Sequence, residues 1–234
     1  MCGRFLISDP EQGMIALFGY NGPPLDMVAR YNVAPTQSVP VVRLNELGGR
    51  GIAKLRWGLI PSWAKDAKIG AQMINARAET VTEKPAFRAA FKSRRCLIPA
   101  DGFYEWKAEG KIKQPYRVVL GDPAQPRPFA FAGLWERWRD PAAAKDTPPL
   151  ETFTIITVDA APAIAHIHHR MPVMLTRRED LEAWLDATRS AEAALALLKP
   201  YAAADIAAGA VSLKVNNARY DGPDCVTPAE AASP

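Results

Sequence analysis

Short runs of alternating apolar and polar residues dominate this chain and set most of its expected elements. Val39–Leu44 and Ile52–Trp57 alternate as strands do, with Gly48-Gly49 in the turn between them. Met73–Thr80 reads as strand and turn. Further strand candidates are Cys96–Ile98, Phe103–Lys107, Tyr116–Leu120, Phe129–Leu134, Phe153–Val158 and Val173–Leu175, and a last strand is expected at Val211–Val215. Asp101-Gly102 and Glu109-Gly110 are turn signals along the way. Helical spacing is rarer. Asp9–Phe18 predicts a helix, with Ser8 and Glu11 at capping-box distance, Pro10 in the first turn and Gly19 at its end. Thr82–Phe91 predicts a short helix with Phe87, Ala90 and Phe91 on one face. Thr176 and Glu179 repeat the capping-box spacing at the head of a helix through Leu185, and Ala191–Leu198 reads as a helix stopped by Pro200. A proline-rich loop runs through Pro23-Pro24 and on to Pro35.

Eight or nine short strands with four scattered helices predict an α+β fold. The expected form is a single domain built on a β-rich, curled or barrel-like antiparallel sheet with flanking helices. That domain is expected over residues 1–226, with 227–234 a C-terminal tail.

Composition narrows the class. Of the 234 residues, 48% are hydrophobic and 23% charged, which excludes wholesale disorder. A chain of this length buries roughly 70% of its unfolded surface, so no disulfide or metal staple is needed. The 21 prolines are nearly twice the average share of about 5% and argue against a helical bundle. No apolar run nears the ~18 residues of a membrane span, and no secretory signal is expected. Three cysteines, at 2, 96 and 225, make no disulfide framework. A reducing, cytoplasmic compartment with no membrane partner is expected. The net charge is only +4, but Lys84–Arg117 holds nine basic residues against three acids. Such a segment suits either a polyanion partner or an ordinary solvated face.

Five places carry candidate chemistry. Cys2 is small enough to favour removal of Met1. It would then present a thiol and a free α-amine on adjacent carbons, with ordinary pKa values of about 8.5 and 7.7–8.0. An aldehyde can form an imine with that amine, and the thiol can close a five-membered thiazolidine. By position alone, the plainer reading of Cys2 is an incidental small residue after Met1. Glu105 lies between Tyr104 and Trp106, where desolvation would raise its carboxyl toward proton-transfer range; an edge-strand acid paired with Lys107 is the plainer alternative. All three histidines fall at 166, 168 and 169, just before Arg170. His166 and His168 would share a strand face, yet nothing nearby completes a metal site, and a general acid/base histidine is the better reading. Asn75 and Arg77 share a strand face or form a turn with a surface ion pair. Trp63, beside Lys65 and Lys68, suits stacking on a nucleobase, whereas Trp57 reads as core. No phosphate-binding or dinucleotide motif is present, and no cofactor is expected.

Taken together these segments resemble the SOS response-associated peptidase (SRAP) family, whose members shield abasic sites in single-stranded DNA. The matching runs are Cys2-Gly3-Arg4-Phe5, Tyr31-Asn32-Val33-Ala34-Pro35, Trp57–Pro61, Ile74–Thr80, Asp101–Trp106 and Ile167–Pro172, with a last match around Val211-Ser212 and Val215-Asn216. They occur in family order from residue 2 to about residue 226. The resemblance implies a β-rich α+β domain with a positively charged groove for single-stranded DNA, acting as a monomer. It implies that Cys2 links to the abasic aldehyde as a lyase-like thiazolidine crosslink, that Glu105 and His168 do acid/base work, and that Asn75 positions the N-terminal residue. Arg4, Asn32, Arg77 and Arg170 would hold phosphates and the open sugar. The alternative implied by the family name is a thiol peptidase, acting on other proteins or only to remove Met1.

Overall fold

The computed structural model describes residues 2–20, 27–45, 47–110 and 112–229. Met1, the Pro23-Pro24 part of the proline-rich loop and all but 227–229 of the expected tail lie outside them. The elements are β1 (Arg4–Ile7), α1 (Pro10–Phe18), β2 (Arg30–Val33), β3 (Ser38–Leu44), β4 (Arg50–Trp57), β5 (Asn75–Arg77), α2 (Arg88–Ser93), β6 (Arg95–Ala100) and β7 (Gly102–Glu109). They continue with β8 (Ile112–Asp122), β9 (Gln125–Pro126), β10 (Phe129–Trp138), β11 (Leu150–Asp159), β12 (Arg170–Pro172), β13 (Met174–Leu175), α3 (Arg178–Leu185), α4 (Ala191–Leu195) and β14 (Ile206–Ala210).

The strands form two sheets. In the larger, β11, β4, β3, β6 and β10 lie side by side, and a β10–β11 pairing closes them into a five-stranded barrel. Closure removes the exposed edges that an open sheet would present. β5, β12 and β13 extend its rim. The smaller sheet has the order β14-β8-β7-β1-β2. Its inner face packs on the barrel. Phe5 meets Trp57 and Phe131 edge-on at centroid distances of 5.1 and 5.5 Å, and Phe103 meets Phe131 at 6.2 Å. The core is continuous across the two sheets, so the β-rich, barrel-like α+β fold is present. No helix among the described residues is long and apolar enough to cross a membrane.

Several local expectations differ from the structure. The barrel is not wholly antiparallel, because β11 runs parallel to both β4 and β5. The helix expected over Thr82–Phe91 starts only at Arg88, since Pro85 in the middle of that window bars the preceding residue from helical geometry. The last strand is Ile206–Ala210, not Val211–Val215; it adds to the edge of β8, while Leu213–Asn216 is a 3₁₀ turn with Leu213 exposed. The alternation of Val211, Leu213 and Val215 imitated a strand, whereas Ala207-Ala208-Gly209 carries no pattern to read. The cap of α1 is Asp9, which accepts from the Gln12 N–H, because Ser8 is engaged by Asp101. The Thr176–Glu179 box is also unused: α3 begins at Arg178, and Glu179 pairs with Arg177. α4 ends at Leu195, short of Leu198. The histidines lie in a turn before β12 rather than on a strand face.

Candidate active site

The site is built where the start of β1 meets β5, β7 and the turn before β12. β1 runs antiparallel to β7, with Arg4 opposite Tyr104, Phe5 opposite Phe103 and Leu6 opposite Gly102. Gly102 permits that approach: a Cβ there would lie 2.8 Å from the Val118 carbonyl oxygen and 2.9 Å from Leu6 Cδ2. Extending the register one residue back sets Gly3 opposite Glu105.

Cys2 is fully buried, with Sγ 3.8 Å from the Arg4 carbonyl oxygen. Asn75, the first residue of β5, donates its Nδ2–H to the Cys2 carbonyl at 2.8 Å. Its Oδ1 is buried and has no hydrogen-bond partner among the described residues. Glu105 is buried on β7, and that burial pushes its carboxyl from an ordinary 4.5 up to about 7 against the pull of the positive amino terminus. Burial also pushes the Cys2 thiol far up, and the nearby Glu105 charge adds to the effect. His168 is half-buried; desolvation lowers its pKa, and the positive amino terminus lowers it further. The expected residues Cys2, Asn75, Glu105 and His168 therefore converge on the amino-terminal end of β1.

The expected DNA contacts divide. Trp63 is 58% exposed and Arg77 is exposed, so both can meet a ligand. Arg4 is half-buried, with Nη1 donating to Asn32 Oδ1 at 2.8 Å and to the Val215 carbonyl at 2.6 Å. Asn32 is fully buried. Its Nδ2 donates to the Tyr220, Asn217 and Val215 carbonyls at 2.7, 3.1 and 3.3 Å, so it ties the C-terminal segment to β2 and is not presented to a strand of DNA. Arg170 is likewise internal. Its guanidinium donates to both Glu79 oxygens, to Asp159 Oδ1 and to the Thr157 carbonyl, which leaves it engaged without a phosphate. Nor does the basic segment Lys84–Arg117 form one face. Arg95 is buried against the Trp184 and Phe91 carbonyls, and Arg94 pairs with Glu136.

Three further residues stand where a ligand can reach. Trp106, Lys113 and Asn216 line a cavity of about 410 Å³ together with Arg4, whose guanidinium carbon lies 5.8 Å from the Trp106 ring centroid. Trp106 Nε1–H donates to Asn216 Oδ1 at 2.6 Å. Strand alternation set Trp106 on the face opposite Glu105, but only the fold brings Asn216 to it. A larger cavity of about 780 Å³ lies between β8, β14 and Val226–Pro228, and none of the Cys2 cluster lines it; we assign the chemistry to the place where the titratable groups meet. Among the described residues, no three His, Cys, Asp or Glu side chains gather as a metal site.

Comparison with known proteins finds relatives over most of the chain. The profile of the SOS response associated peptidase (SRAP) family matches residues 1–218. The abasic site processing protein YoqW of Bacillus subtilis is 44% identical over 230 residues, covering 97% of this chain and 99% of that protein. The abasic site processing protein HMCES of Gallus gallus is 36% identical over 231 residues, covering 87% of this chain and 67% of that one. A crystal structure of a Bacteroides thetaiotaomicron protein superposes with a TM-score of 0.81 at 29% identity, covering 97% of this chain and all of that one.

Proposed function

The chain belongs to the SOS response associated peptidase family, and from that premise we propose that it processes abasic sites in single-stranded DNA through a covalent bond to Cys2. The observation that carries this reading is the buried Cys2, held by Asn75 beside a carboxyl whose pKa stands at about 7.

With Met1 removed, the α-amine of Cys2 adds to the C1′ aldehyde of the ring-opened sugar. The carbinolamine loses its hydroxyl as water, taking the proton from Glu105, and leaves an iminium that keeps its N–H. Glu105, now a carboxylate, takes the thiol proton as Sγ bonds to the iminium carbon, and the C=N electron pair returns to nitrogen to complete the neutral thiazolidine. One water leaves overall. A carboxyl near pKa 7 suits both steps, because at neutral pH it can give a proton and take one back. A thiol held neutral by burial favours this order, with the amine attacking first and the sulfur second. Asn75 Oδ1 supplies an acceptor for the new amine. His168, neutral at physiological pH, assists ring opening of the sugar or release of the adduct. Trp63, Arg77 and the Arg4–Trp106–Lys113 cavity hold the strand on either side.

A thiol peptidase with Cys2, His168 and Glu105 as a triad is the second reading. It needs a thiolate, and burial opposes one here. Removal of the chain's own Met1 is the peptidase step the first reading requires.

The test is mass spectrometry of the protein mixed with an abasic single-stranded oligonucleotide. The expected product is the protein without Met1 plus the DNA minus one water. An equally abundant adduct on protein that retains Met1 would exclude the ring chemistry.

A further inference from the structure

Arg170 is tied to its surroundings by more bonds than any site residue beside it, and those bonds cross a strand. We propose that Glu79 and Asp159, acting through Arg170, are positioning residues that fix His168 and Asn75 relative to each other across β11. The inference rests on the abasic-site reading only for what His168 and Asn75 do once they are placed.

The geometry is that of a clasp. β5, which starts at Asn75, lies along one edge of β11, and β12, which starts at Arg170, lies along the other. Thr157 of β11 sits opposite Arg77 on one side and Pro172 on the other. The Arg170 guanidinium spans this strand. It donates to Glu79 Oε1 and Oε2 at 2.6 and 3.0 Å, to Asp159 Oδ1 at 2.8 Å and to the Thr157 carbonyl at 2.7 Å. Glu79 follows β5 in the same segment as Asn75, so the ion pair joins the asparagine side of β11 to the histidine side. A planar fork with spread donors suits this; a lysine has its three donors on one nitrogen and cannot span the same partners.

The other end of Arg170 acts on the imidazole. Its backbone N–H donates to His168 Nδ1 at 2.9 Å. The Arg170 carbonyl is 3.2 Å from the same nitrogen, but the backbone hydrogen has a fixed direction, so Nδ1 is the acceptor. The neutral ring then carries its proton on Nε2. His169 stacks on the His168 ring at 4.4 Å and limits its rotation. The side chain of Arg170 is 8% exposed, whereas those of Glu79 and Asp159 are 50% and 83% exposed. The two carboxylates thus hold a buried cation from its solvent side, and the readouts below separate positioning from the stability that pairing this cation also supplies.

The experiment labels the three histidines with ¹⁵N in the full chain and reads the His168 ring nitrogens. A crosslinking time course on abasic single-stranded DNA and an affinity measurement on intact single-stranded DNA run beside it. In the wild type a single tautomer is expected, protonated at Nε2. Glu79→Ala should mix the tautomers and slow crosslinking by roughly tenfold, with affinity for intact DNA unchanged. Glu79→Gln keeps an acceptor and should restore most of the rate. Asp159→Asn, at a mostly exposed position, should give a smaller change in the same direction, and it decides the matter if Glu79→Ala does not fold. Unchanged ring-nitrogen signals, or a slower rate explained entirely by lost affinity for intact DNA, overturn the proposal. If the wild type forms no adduct, the abasic-site reading fails, while the nitrogen spectra still decide the positioning.

Discussion

The β1–β7 strand pair has a buried carboxyl at each end, and the protein treats the two differently. At one end Asp101 accepts from Ser8 N–H at 2.6 Å, Ser8 Oγ–H at 3.1 Å and Asp9 N–H at 3.1 Å. Burial raises its pKa, and those donors pull it back. At the other end burial lifts Glu105 to about 7 beside the Cys2 thiol, opposed by the amino terminus. Similar desolvation thus has two outcomes. A carboxylate given three fixed donors becomes a structural clamp on the turn into α1. One placed beside the Cys2 thiol keeps a raised pKa, in the range that the proposed proton transfers need.

The strongest way to break this contrast is at the reactive end. Cys2→Ala keeps an α-amine after loss of Met1 but has no sulfur to close a ring. The expected result is complete loss of the stable adduct, leaving a reversible imine that borohydride traps. A stable adduct without borohydride would defeat the mechanism.

Glu105→Gln comes next. It keeps the shape and removes the proton, so crosslinking should slow by roughly 10²-fold or more, with affinity for intact single-stranded DNA retained. The same group sets a pH dependence of stability. Its folded pKa lies above its ordinary 4.5, at about 7. Its stabilising contribution is therefore full below pH 4.5 and is lost as pH rises to about 7. Denaturant unfolding should show Glu105→Gln gaining on the wild type across that window, with the two alike at its acid end after allowance for the substitution itself.

At the structural end, Asp101→Ala leaves three donors without their acceptor. It should cost about 1–3 kcal/mol, read as a lower denaturant midpoint at constant slope, and leave the crosslinking rate per folded molecule unchanged. A rate loss like that of Glu105→Gln would erase the distinction between the two ends. The smallest effect is expected outside both. Trp63→Ala should weaken single-strand binding by about 1 kcal/mol. Affinity itself should fall with salt by about 0.7 log unit per log unit for each phosphate neutralised.

Much of this was legible in the chain. Apolar runs at Val39–Leu44, Ile52–Trp57 and Phe129–Leu134 marked barrel strands, the last of them buried on both faces. Cys2 and Glu105 stood out by residue type and setting, whereas the choice of His168 among three histidines and the role of Asn75 came from the family resemblance. Trp57 read as core and is fully buried. The arginines and Asn32 were less legible. Arg4, Arg77, Arg95 and Arg170 carry the same charge in sequence, yet Arg77 is exposed while Arg95 and Arg170 are buried against carbonyls and carboxylates from distant segments.

By itself, the sequence determined the strand-rich core, the local turns and the set of groups able to give or take a proton, since these depend on a residue and its near neighbours. Only the tertiary structure decided that the barrel closes through β10 and β11, that β11 runs parallel to β4 and β5, and that Arg170 spans β11 to Glu79. Pairings of this kind join residues far apart in the chain. So do the pKa values. Glu105 stands at about 7 because burial strips it of water, and burial depends on every segment packed above it.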